Sequence, residues 1–85
     1  MIEEKSSITE EYNAADVLER VYAALKKKGY DPVHQVVGYI MSGDPSYITA
    51  YHGARNIITK VEREDLVEEI MRVYIEESQN DKRFS

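Results

Sequence analysis

The sequence predicts an all-α protein, a compact bundle of about four short helices that assembles as a helical homodimer, and three observations carry that expectation. Apolar residues recur at helical spacing in four separate stretches. Most stretches are bounded by a recognisable cap or stop. The single run that resembles a strand, Val36-Val-Gly-Tyr-Ile-Met41, follows a helix N-cap and an N1 proline, which decides it for helix. Eighty-five residues allow one core and no second domain. A chain this short hides only about 60–65% of its unfolded surface, and without cysteine it has no disulfide to compensate. Self-association is the expected remedy.

The first helix rests on Val17, Leu18, Val21, Tyr22 and Leu25, one stripe at i, i+3/i+4, i+7 spacing. Lys26, Lys27 and Lys28 complement the dipole of its last turn, and Gly29 supplies the C′ residue. Two starts compete: Ser7-Ile-Thr-Glu10 reads as a capping box, and Asn13 can cap a later start. The expected start is near residue 10.

Asp31-Pro32 opens the second helix, and Val33, Val36, Val37, Ile40 and Met41 continue it. It is apolar nearly all round, so it is either the central element or the lining of a dimer interface. Gly38 weakens a helix by about 1 kcal/mol, and a missing side chain there lets another backbone approach. Ala54, Ile57, Ile58 and Val61 predict a third helix; Leu66, Val67, Ile70, Met71 and Tyr74 predict a fourth, with Glu64 and Asp65 suited to its first turn. The expected layout is a flexible N-terminal segment over 1–9, a helical domain over 10–77, and a frayed tail without periodicity over 78–85.

Composition excludes several functions. A net charge of −5 disfavours broad phosphate-backbone binding, which depends on Lys and Arg displacing counterions. Short helices and tight turns keep a small helix-turn-helix nucleic-acid binder as the alternative, against that acidic balance. No apolar run is long enough to span a membrane, and the first residues lack a secretory pattern, so the cytoplasm is expected. His34 and His52, without cysteine or a paired helix-face ligand, make no metal site. No nucleophile elbow or base-plus-orienter spacing is visible. A non-catalytic protein without metal or cofactor is the expectation.

The central stretch Met41-Ser-Gly-Asp-Pro-Ser-Tyr47 reads first as a helix stop and restart. Gly43 can take positive φ, Asp44 can cap the next segment, and Pro45 pre-sets its first residue. Gly43 and Pro45 therefore set the backbone. The same turn presents Ser42, Asp44, Ser46 and Tyr47 as polar groups for a partner, and Arg55 follows on the third helix. Asp44, Tyr47 and Arg55 are the candidate partner-binding residues; Arg55 either closes the loop in a salt bridge with Asp44 or meets an acidic group on the partner. Tyr22, Tyr39 and Tyr74 fall on or beside apolar stripes, and Tyr30, Tyr47 and Tyr51 near turns; packing is favoured for each. Ser6, Ser7 and Thr9 read first as capping hydroxyls, and second as phosphate acceptors at a helix start.

One resemblance bears on function. The run GYDPVHQVVGYIMSGDPSYI from Gly29 to Ile48, then Ala54-Arg55, then Glu62-Arg-Glu-Asp-Leu-Val-Glu-Glu-Ile70, resembles the IreB family of small regulatory proteins, over roughly residues 17 to 75. The resemblance implies an all-helical, non-catalytic homodimer of Gram-positive bacteria. It also implies cytoplasmic action under a membrane Ser/Thr kinase with PASTA repeats, and partners linked to the Clp protease. In one branch the unphosphorylated protein promotes Clp degradation of the enolpyruvyl transferase that opens peptidoglycan synthesis, and phosphorylation relieves this.

Two departures stand out. The relatives' phosphorylated threonine precedes the first helix, and an ungapped alignment puts it at or before Met1. Thr9, Ser6 and Ser7 are then candidates only if that segment is shortened here. Where many relatives have Pro-Arg and a basic segment, this chain has Thr49-Ala50-Tyr51-His52-Gly53. Of the arginines that the resemblance implies around that loop, Arg55 is present and the one at position 50 is missing.

Overall fold

A computed structural model describes residues 12–80. Four α-helices follow one another: α1 (Ala14–Lys27), α2 (Pro32–Ser42), α3 (Ala54–Ile58) and α4 (Arg63–Asn80). Two 3-10 turns, Pro45–Tyr47 and Tyr51–Gly53, lie between α2 and α3. The all-α expectation holds for the described residues.

Helix α1 begins four residues later than expected. Asn13 is its N-cap, the side chain accepting from Ala15 N at 2.8 Å and Asp16 N at 3.2 Å, so the helix starts at Ala14 rather than near residue 10. Residues 1–11, with Ser6, Ser7 and Thr9, lie outside the described residues. At the other end Gly29 takes φ 86°, Tyr30 N donates to Leu25 O, and Gly29 N donates to Lys26 O. Those two bonds form a Schellman motif, which absorbs carbonyls that the helix leaves open.

The core is made by Val17, Val21, Ala24 and Leu25 of α1, Val36 and Tyr39 of α2, Ile48, the α3 residues Ala54, Ile57 and Ile58, and Val61 and Leu66 beyond them. Helix α1 packs against α2, α3, α4 and the Tyr51–Gly53 turn. It is therefore the central helix, and the first of the two alternatives for α2 is corrected. Helix α2 buries one edge and leaves Val33 70%, Val37 51% and Met41 79% exposed.

Two helix lengths differ from expectation. Helix α3 closes after five residues, and Val61 is buried in the turn that follows rather than on the helix. Helix α4 runs through Asn80, past the expected domain end at 77, because no glycine or proline interrupts it. Ile70, Met71, Val73 and Ile75 on this helix are all partly exposed.

Candidate functional site: the turn after α2

The stop and restart at residues 41–47 is built by short local bonds. Gly43, at φ 76°, is the C-cap of α2, and its N–H donates to Tyr39 O at 2.6 Å. Ser42 Oγ donates to Gly38 O at 2.7 Å and accepts from Asp44 N at 3.0 Å. Asp44 then caps the 3-10 turn, its Oδ1 accepting from Ser46 N at 3.0 Å, with Pro45 at the first position. Gly43, Asp44 and Pro45 occupy the backbone roles that their residue types suggest.

The exposed Asp44 carboxyl is held below its ordinary value of 3.8, first by the backbone hydrogen bond from Ser46, then by the Ser46 side chain, and least by the field of Arg55. No ion pair joins Asp44 to Arg55 among the described residues. Arg55 Nε instead donates to Ile48 O at 2.9 Å, pinning the end of the turn to α3. The loop-closing salt bridge is thus corrected: the carbonyl of Ile48 is the partner, and the exposed guanidinium keeps further donors for other contacts.

Tyr47 lays its ring against α2 at Gly38. A Cβ added to Gly38 would overlap ring atoms Cδ1 and Cε1 and stand 2.9 Å from Cζ, so Gly38 is the gap that admits the ring. The sequence suggested a backbone approach at Gly38; the structure places a side chain there. Gln35 Nε2 donates to Tyr47 O at 2.9 Å, and buried Ile48 anchors the following residue in the core.

Two contributors were not singled out from the sequence. Arg63 donates from Nη1 to Ile40 O at 2.9 Å, and a Cβ on Gly43 would stand 2.9 Å from that same nitrogen. Thr49 accepts from Tyr51 N through Oγ1 at 3.2 Å and from Arg55 N through its carbonyl at 3.0 Å, fixing the segment between the two 3-10 turns. An exposed arginine has no periodic signal that distinguishes a cap from solvated charge. Together these bonds hold Asp44, Tyr47 and Arg55 around one turn as an acceptor, an aromatic edge and a donor.

Elsewhere, α1, α2 and α4 enclose an open apolar concavity of about 430 Å³, lined by Leu18, Tyr22, Val33, Val37, Ile70 and Val73 among others. Among the described residues, no helix is long and apolar enough to cross a membrane, and no three His, Asp or Glu are grouped to hold a metal ion.

Comparison with known proteins places the chain. The family model described as IreB regulatory phosphoprotein matches residues 2–76. A UPF0297 protein of Acetivibrio thermocellus is 55% identical over 74 residues, covering 87% of this chain and 79% of the relative. One from Ruminiclostridium cellulolyticum is 49% identical over 71 residues (84% and 81%), and one from Lachnoclostridium phytofermentans 59% identical over 61 (72% and 69%). With that match over most of its length, the chain belongs to the IreB regulatory phosphoprotein family.

Proposed function

We propose that this protein is a non-catalytic, cytoplasmic regulator of cell-wall synthesis that acts through protein contacts and is switched by a PASTA-type Ser/Thr kinase. The observation that carries this reading is the family match over residues 2–76, which spans both the helical body and the hydroxyl-bearing segment before it. Ser6, Ser7 and Thr9 are the phosphate acceptors in this reading. The effector surface is the turn bearing Asp44, Tyr47 and Arg55, and the partners are adaptors linked to the Clp protease. Through them the unphosphorylated protein promotes removal of the first enzyme of the peptidoglycan pathway.

The working form in this reading is a homodimer. Support comes from Val33, Val37 and Met41, an apolar row left open on α2, and from the concavity that continues it onto α1 and α4. Exposed apolar area of this kind is costly to leave in water and is a usual mark of an interface. A second copy fits a chain too short to bury it alone. Nothing specific favours a nucleic-acid reading: the chain is acidic overall, and its most exposed apolar helix, α2, carries no Lys or Arg.

A pull-down from the native host, wild type against Arg55→Ala, tests the proposal. Recovery of Clp-linked proteins by the wild type, reduced in the variant, supports it; equal recovery by both removes Arg55 from the effector surface. Unchanged transferase abundance on deletion of the gene would contradict the proposed pathway.

A further inference from the structure

Opposite the apolar concavity, α1 turns a second face toward the Tyr51–Gly53 turn. Arg20, Ala23, Ala24 and Lys27 from α1 and Tyr51 and His52 from the turn line an open hollow of about 520 Å³. Among the described residues, no carboxylate lines it. Although the chain carries a net charge of −5, neither Arg20 nor Lys27 has an ion-pair partner among the described residues. Lys28 adds a third cation at the rim, its Nζ 5.2 Å from the centre of the Tyr51 ring. The three lysines at residues 26–28 outweigh the roughly half-unit of negative charge expected at the carbonyl end of α1.

The turn that closes the hollow is itself strained. His52 has φ 51°, alone in positive φ among the described non-glycine residues, and its ring meets that of Tyr51 edge-on at 4.2 Å. A non-glycine residue held in this region costs free energy, and such residues concentrate at binding sites. Tyr51 and His52 thus stand together on the wall of a hollow that Arg20 and Lys27 also line.

We infer that this hollow, built by Arg20, Lys27 and the Tyr51–His52 turn, takes the carboxylates of an acidic peptide, and that the occupant is the chain's own segment 1–11. Charge and reach both fit. The segment carries Glu3, Glu4, Glu10 and Glu11 against Lys5. Six extended residues back from Asn13 span about 20 Å at ~3.3 Å per residue, which brings Ser7 past Arg20 if the segment folds back along α1. Arg20 and Lys27 stand about 10 and 21 Å along the helix from Asn13 at ~1.5 Å per residue, so Glu3 and Glu4 reach the Lys27 end. A tethered segment competes well against free peptides, because its effective concentration is of order millimolar. The docking uses carboxylates and needs no phosphoryl group, so its failure leaves the phosphorylation reading standing.

The full chain, which contains no cysteine, takes a nitroxide at Ser7→Cys as its single thiol. The expected result is loss of amide signal at Lys27, Tyr51 and His52, far from the attachment point along the helix. That loss should disappear in Arg20→Glu/Lys27→Glu. It should also disappear in Glu3→Gln/Glu4→Gln, which changes no described residue, and in about 1 M NaCl, where the Debye length is about 3 Å. Broadening that fades steadily from Asn13 and spares Tyr51 and His52 would overturn the inference, as would broadening that survives charge removal from the segment.

Discussion

The ring of Tyr47 fills the space left by the missing side chain of Gly38, joining the 3-10 turn to the middle of α2. Gly38→Ala sets two effects against each other. Helix propensity favours alanine by about 1 kcal/mol, whereas overpacking costs about 1–3 kcal/mol. The overlap includes Cδ1, near the root of the ring, and the Tyr47 backbone is held by Gln35, so the ring cannot swing away freely. Urea unfolding should show Gly38→Ala destabilised by about 1 kcal/mol alone, but stabilised when added to Tyr47→Ala. The same sign in both backgrounds would contradict the contact.

Arg63 links α4 to the end of α2 by one hydrogen bond to the Ile40 carbonyl. Arg63→Ala should lower stability by about 1 kcal/mol, since a charge-assisted bond at the surface is discounted by solvent. Faster amide exchange at the C-terminal end of α2 would locate the loss.

Asp44 makes stability depend on pH in a defined direction. Its carboxyl is held below 3.8 in the folded chain. A depressed folded value means that the unfolded state binds the proton more readily, so the contribution is complete above the unfolded value and disappears as pH falls through the folded one. Asp44→Asn should therefore unfold at lower denaturant than wild type at neutral pH, and the gap should narrow below about pH 4. A gap unchanged by pH would place the effect elsewhere.

Val37 is half exposed on the open row of α2. Val37→Asp should convert the proposed dimer to monomer at micromolar concentration, measured by size exclusion with light scattering, without disturbing the helical circular dichroism. A wild-type protein that is already monomeric there would contradict the dimer.

Much of this fold could be read from residue types alone. Asp31-Pro32 and Gly29 marked real caps, and the stripe of Val17, Val21 and Leu25 became the centre of the core. The boundary at Asn13 was misplaced because Ser7-Ile-Thr-Glu10 offers an equally good local pattern, and local patterns carry no record of tertiary support. Long-range bonds were the least legible. Arg63 to Ile40 spans 23 residues and Gln35 to Tyr47 spans 12, and neither follows from any period. At the candidate site the turn residues announced themselves, while the partner of Arg55 did not, since Asp44 was the obvious carboxylate and the chosen acceptor is a backbone carbonyl.

The most direct test of the proposed regulator is to incubate the protein with the host's PASTA-type Ser/Thr kinase and map the phosphopeptides. The account predicts modification at Ser6, Ser7 or Thr9. No incorporation, or modification only within the helical body, would contradict it.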